Sequence, residues 1–182
     1  MDLYITNAFQ NSVIFDPEER VYLSLLPFYL EWFQSQWPDY KLPSHDGAKL
    51  ALQCLKSIQG TCDAGRRWYA LIAGHFRELG MTRSTIDHGI FLWKWNGTSC
   101  YLALETDDIL MASPTREPFL HLKNDLEKLF DLTCAEGAIL RFLNLRLIQS
   151  PCGISMDQTS HIKSQKLYAA ASQPSFIVLK PN

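Results

Sequence analysis

Three apolar runs in close succession, Gly89 to Trp95, Thr98 to Leu104 and Ile109 to Ala112, constrain this chain more than any other stretch. Asn96-Gly97 separates the first two, a dipeptide whose backbone preference matches the twist of paired strands. Thr106-Asp107-Asp108 separates the second from the third. The spacing predicts an antiparallel three-stranded meander with two adjacent carboxylates on its second turn. Neighbouring aspartates repel, and half-burying them is costly unless a cation or hydrogen-bond donors compensate. Oxygen ligands of this kind also hold divalent cations, usually Mg²⁺ shared with phosphates. Asp-Asp is equally a good turn pair at a surface hairpin, and the stretch alone leaves both readings open.

The elements around the meander follow from local pattern. Leu3 to Phe9 is rich in β-branched and aromatic residues and reads as a strand with a helical or turn exit. After a turn at Asp16-Pro17-Glu18-Glu19, Arg20 to Leu25 alternates like a second strand. Pro27 to Phe33 predicts a short helix, stopped by Pro38, with Trp32, Phe33 and Trp37 on a packed face; the chain then loops to Gly47. Leu50 to Leu55 is a further strand, leading into a turn-prone Lys56-Ser57-Ile58-Gln59-Gly60-Thr61. From Ala64 to Leu79 the apolar positions Trp68, Leu71, Ile72, Phe76 and Leu79 recur at helical spacing, with Gly80 as a cap. Arg66 and Arg67 stand at the start of that helix, where cations oppose its dipole, which hints at a purpose beyond helix stability.

Beyond the meander, Phe119, Leu122, Leu126, Leu129 and Phe130 set a helix face, and Ile139 to Gln149 reads as one strand. Pro151-Cys152-Gly153 turns into a last strand at Ile154 to Gln158. After Ser164 the pattern decays, Ala169-Ala170-Ala171 reads as loop, and Phe176-Ile177-Val178-Leu179 has no evident partner. The order predicts an α+β fold with a mainly antiparallel sheet packed on helices.

Composition narrows the partners. With 182 residues, 47% hydrophobic and 20% charged, the chain is long and apolar enough for a real core. A net charge of −2 gives no global attraction to nucleic acid, so any such binding needs a local basic patch. Cys54, Cys62, Cys100, Cys134 and Cys152 include no CxxC pair, which speaks against a zinc site and for reduced thiols in an intracellular protein, cytoplasmic or nuclear. No apolar run approaches the ~20 residues of a membrane span, and no targeting segment is evident, so no membrane partner is expected. Met1-Asp2-Leu3 starts inside a strand pattern, as a fragment would.

Four segments, in order and at matching gaps, carry a family resemblance over about residues 3 to 165. They are Thr6-Asn7-Ala8-Phe9; Lys56 to Gly60 with Ala64-Gly65-Arg66-Arg67-Trp68-Tyr69; Asp87-His88-Gly89-Ile90-Phe91 with Thr106-Asp107-Asp108-Ile109-Leu110; and Arg141-Phe142-Leu143-Asn144-Leu145-Arg146. Together they resemble the reverse transcriptase domain of copia-type retrotransposons. The resemblance implies a palm of antiparallel strands over residues 1–165, with fingers and thumb incomplete and a divergent tail at 166–182. It implies Asp107 and Asp108 as catalytic metal ligands, Mg²⁺ as the cofactor, and an RNA or DNA primer–template and a deoxynucleotide as partners. Phe9 matches the aromatic under the sugar, Gln59 and Gly60 the segment lining base and template, and Arg66 a phosphate contact. The fourth segment matches the strand near the primer grip.

The departures point the other way. The family chemistry, an in-line phosphoryl transfer promoted by two cations, uses three carboxylates. The first belongs five residues before Phe9, where this chain has Tyr4. A phenol is a poor Mg²⁺ ligand at neutral pH. Asp2 is expected about 6–7 Å further along the strand, too far to substitute. Glu105 stands where the family has Tyr, and Cys62-Asp63 where it has a cation and Pro. The expected function is a retrotransposon-derived reverse transcriptase domain without activity. The alternative is a non-catalytic nucleic-acid-binding remnant using Lys56, Arg66, Arg67 and Arg77.

Overall fold

The computed structural model describes residues 1–16, 18–19, 21–42 and 50–171. The elements run β1 (Asp2–Ile5), β2 (Val21–Ser24), α1 (Pro27–Gln36), β3 (Ala51–Cys54), α2 (Ala64–Glu78), β4 (Met81–Arg83), β5 (Ile90–Trp95), β6 (Thr98–Glu105), β7 (Asp108–Ala112), α3 (Glu117–Leu126), β8 (Leu132–Ala135), β9 (Ile139–Phe142), β10 (Leu145–Ser150), β11 (Gly153–Asp157) and α4 (Thr159–Ala171). A 3-10 turn at Ala8–Asn11 makes the exit from β1. The expected α+β class is what the chain adopts. The Phe176 to Leu179 run, Pro17, Arg20 and residues 43–49, on which part of the expected loop falls, lie outside the described residues.

Two compact units divide the chain, Met1–Thr6 with Phe76–Asn182, and Asn7–His75. The first is built on a six-stranded antiparallel sheet in the order β4-β5-β6-β7-β1-β8. Strand alternation gives the sheet two unlike faces. Leu3, Ile5, Phe91, Trp93, Cys100, Leu102, Leu104, Ile109 and Met111 are buried on one of them. Phe76 near the end of α2 meets Phe91 edge-on at 5.0 Å, and the Trp93 indole donates to the Leu79 carbonyl at 3.0 Å. His121 on α3 packs tilted against Trp95, ring centroids 4.3 Å apart, while Phe119, Leu122 and Leu126 of the same helix are fully buried. The predicted meander is therefore real, and its turn at Asn96-Gly97 has both residues at positive φ, 45° and 80°.

Gly89 is required by close packing at the start of β5. Its N–H donates to the Asp87 carboxylate at 2.8 Å and its carbonyl accepts from Leu104 N–H at 2.7 Å. A Cβ there would stand 2.7 Å from the Leu104 carbonyl oxygen. Gly89→Ala is expected to cost about 2 kcal/mol, read as a lower urea midpoint with an unchanged slope.

Three expectations are corrected. The run Ile139 to Gln149 is two strands, β9 and β10, folded back on each other at Leu143-Asn144, both at positive φ (50° and 65°). An apolar residue in the turn hides the break that Asn-Gly would announce. With β11 these strands form a separate three-stranded sheet. Two short strands, β4 and β8, had no period long enough to read; β8 pairs with β1. The pattern does not end after Ser164, since α4 runs to Ala171. Asp157 accepts from the Thr159 N–H at 3.1 Å to start it, and the alanines read as loop are the strongest helix formers.

In the second unit the two expected strands, β2 and β3, pair with each other antiparallel. Tyr29, Trp32, Phe33, Trp37 and Tyr40 form a ring cluster along and beyond α1, with centroids 4.8–6.4 Å apart. Trp32 and Trp37 are nevertheless about half exposed, so the expected packed helix face is only partly covered.

Candidate functional site

The acid pair sits on the unburied face of the large sheet, at the tip of the β6–β7 hairpin. Thr106 and Asp107 form its two-residue turn, and Glu105 lies directly opposite Asp108. Like charges across such a pair repel. Thr106 holds φ at 51°, a left-handed conformation that β-branched residues rarely adopt.

β1 lies against this hairpin in a register that fixes the site. Tyr4 is opposite Asp108, Leu3 opposite Ile109 and Asp2 opposite Leu110. On the other side Tyr4 is opposite Thr133 of β8. One row across the open face is thus Thr133, Tyr4, Asp108 and Glu105, with the Asp107 turn at its edge. The Ile5 N–H donates to the Asp107 carbonyl at 2.8 Å. The Asp107 carboxylate, by hydrogen bonding and then by its charge, holds the Tyr4 phenol above its ordinary pKa. Burial pushes Asp108 up, and the neighbouring Asp107 and Glu105 charges add to it.

Asp2 is one row further along. One of its carboxylate oxygens is buried without a hydrogen-bond partner, and burial, then the Asp108 charge, pushes its pKa up to about 6. A carboxyl raised in the fold favours the folded state only while protonated. Its contribution is whole below pH 3.8 and is lost as pH rises through about 6. Asp2→Asn should therefore raise the melting temperature above pH 7, by about 2–4 °C given that the group is half-buried and screened, and change nothing near pH 3. Thermal unfolding of both proteins across pH 3–8 checks this.

Among the described residues, no three His, Cys, Asp or Glu side chains gather closely enough to hold a metal ion. Two carboxylates and a phenol do not supply the three-carboxylate set that a two-cation site requires, and Asp2, beside Leu110 rather than Asp108, does not complete it.

The other expected site residues belong to the second unit. Phe9 is half-buried, its ring 4.0 Å from where a Cβ on Gly65 would stand. Gln59 and Gly60 are exposed in the turn before α2, Gly60 at φ 97°. Arg66 is exposed on the first turn of α2. Arg67, by contrast, is committed within its unit. It pairs with Asp63 and, at 2.7 Å, with Glu19, and its guanidinium lies 4.7 Å over the Phe15 ring. The Asp63 that breaks the family pattern is thus an ion-pair partner, and Arg67 is corrected from a nucleic-acid candidate to a structural residue.

Sequence reasoning missed one feature. Asp108 borders an open cleft of about 360 Å³ whose remaining lining includes Arg141, Arg146, Asp157, Ser160 and His161. Arg146 is paired with Asp157 at 2.8 Å. The signal available was the Leu143-Asn144 turn, which brings Arg141 and Arg146 into register opposite each other.

The family pattern described as reverse transcriptase (RNA-dependent DNA polymerase) matches residues 33–170, most of the chain. The chain belongs to the reverse transcriptase family. A Saccharomyces cerevisiae protein named for transposon Ty5-1 is 25% identical over 149 residues, 82% of this chain and 43% of the yeast protein. The chain thus spans less than half the length of that relative. No solved structure matches it. The match to the reverse transcriptase pattern begins after β1, so Tyr4 and Phe9 lie outside it and the role of Tyr4 rests on its register with the hairpin. No helix among the described residues is long and apolar enough to cross a membrane.

Proposed function

We propose that this chain is a copia-type, retrotransposon-derived reverse transcriptase palm that no longer polymerises. The observation that carries the reading is the pairing of Tyr4 with Asp108, at the place where the first catalytic carboxylate belongs. In-line phosphoryl transfer needs charge neutralised on both attacking and leaving oxygens, and Mg²⁺ does this only when carboxylates hold it. Here a phenol stands opposite one of the two remaining carboxylates. Asp107 and Asp108 are the surviving catalytic positions. Phe9, Gln59, Gly60 and Arg66 keep the residue types for nucleotide and template contact. Purified protein with a primer on an RNA template and Mg²⁺ or Mn²⁺ is expected to give no extension. Extension that vanishes in Asp107→Ala would overturn the proposal.

The cleft beside Asp108 favours a second reading, a non-catalytic remnant that still holds nucleic acid. Arg141 and Arg146 line it, and Lys56, Arg66 and Arg77 are exposed elsewhere on the chain. Such binding would weaken steeply with salt, because phosphate contacts release counterions.

A further inference from the structure

The small sheet ends in an edge that no strand among the described residues covers. Its order is β11-β10-β9, so β11 has β10 on one side and an open edge on the other. At five residues it is the longest edge strand described. The direction of its backbone groups follows from β10. The Gln149 N–H donates to the Ala138 carbonyl at 2.7 Å, toward β9, so Ile148 and Ser150 turn theirs toward β11. Ser155 is opposite Ile148 and Gly153 opposite Ser150, and these residues of β11 answer inward. Alternation then points the N–H and C=O of Ile154 and Met156 outward, where no hydrogen bond from a described residue reaches them.

Natural edges are blunted by lysine, proline, a bulge or an inward charge. β11 reads Gly153-Ile154-Ser155-Met156-Asp157 and pairs with β10 without a bulge. Its one charge, Asp157, is paired with Arg146 at 2.8 Å. Ile154 and Met156 are each 67% exposed. They share a face with Leu147, opposite Met156, and with Leu140, opposite Leu147. An open edge of this kind is a template for another strand.

We infer that β11 is a dimer edge: it pairs antiparallel with β11 of a second copy of this chain, across a twofold axis at Ser155. The register comes from the edge itself. With Ser155 opposite its own copy, Ile154 falls opposite Met156 of the partner subunit, and each such pair exchanges both of its N–H···O bonds. Every outward group of Ile154 and Met156 is then used, and the two exposed apolar side chains cover each other. Asp157 meets Gly153 of the partner subunit, so no like charges oppose. A shift of one residue would set outward groups against inward ones, and a shift of two would move one pair off the strand. The contact is isologous, the same patch on both copies, which closes at two. So short an edge buries less than the ~800 Å² per partner of a standard interface, and the dimer is weak, with a dissociation constant of about 10–100 µM. The inference stands apart from catalysis at the hairpin tip.

Charge swapping at the axis tests it, with mass read by sedimentation equilibrium between about 5 and 500 µM protein. The wild type should rise from monomer toward dimer over that range. Ser155 is exposed, and Ser155→Lys or Ser155→Glu sets like charges directly opposed across the axis, so each variant alone should dimerise at least about tenfold more weakly. An equimolar mixture of the two should restore the dimer, which unfolded variants could not do. A wild type that stays monomeric throughout, a dimer that neither variant weakens, or a mixture that fails to recover it would overturn the dimer edge. Primer extension reads the inactive-polymerase proposal separately, whatever the masses show.

Discussion

Tyr4→Asp is expected to create a three-carboxylate site for a divalent cation. The register sets the new carboxylate opposite Asp108 on the open face, with Asp107 at the adjoining turn. Directly opposed residues on paired strands hold their Cβ atoms about 4.5–5.5 Å apart, within the span of one cation and its ligands. Without metal the variant should be less stable than the wild type, since it gains a charge opposite Asp108. With Mn²⁺ it should bind at about 10⁻⁴–10⁻³ M, the range of weak carboxylate sites, while the wild type shows no saturable binding. At a hundredfold excess over the dissociation constant the ligand should return about 2.7 kcal/mol of stability. Calorimetric titration and melting with and without Mn²⁺ read both halves of the effect. Equal, undetectable binding by both proteins would mean the strand register does not present the site as described.

Phe91→Ala should be the most damaging single truncation in the large sheet, at about 3–5 kcal/mol. Phe91 is completely buried, lies opposite Leu102 in the sheet, and meets the Phe76 ring nearly perpendicular, at 81°. Removing it leaves a cavity on the face that carries Leu3 and Ile109 beneath the acid pair. Since whole domains are stable by only about 5–15 kcal/mol, the variant should unfold at a much lower urea concentration. Ile86, 97% exposed, is the control: Ile86→Ala should change stability by less than about 0.5 kcal/mol. Similar losses in the two variants would place the core elsewhere.

What was legible in the sequence was what has a local cause. The meander, its Asn96-Gly97 turn and helix α2 follow from alternation, a turn dipeptide and helical spacing, all readable within a short window. The split at Leu143-Asn144 was hidden because its turn carries a leucine at positive φ, which only the surrounding strands enforce. β8 was hidden because four residues carry no period, and it exists through pairing with β1, more than a hundred residues away in the chain. The same holds at the site. Asp107 and Asp108 could be picked out as a pair, and Tyr4 as a departure. That Tyr4 lies opposite Asp108 depends on strand register, which sequence spacing does not state. Arg67 misled for a related reason: its partner Glu19 is distant in sequence, so the local view showed only an unfavourable cation at a helix start.

The position of β1 has a consequence for the order of assembly. It comes before the other described strands in the chain, yet it lies inside the sheet, between β7 and β8. Its partners are residues 108–110 and 132–135, so the central seam closes only through contacts of very long sequence separation. Such closures are slow, because loop entropy is lost before the pairing rewards it. During synthesis, at about 5–20 residues per second, the apolar face of Leu3 and Ile5 waits on the order of ten seconds for its neighbours to emerge. The nascent chain therefore passes through a stage in which a finished hairpin β6–β7 offers an open edge and its intended strand hangs free.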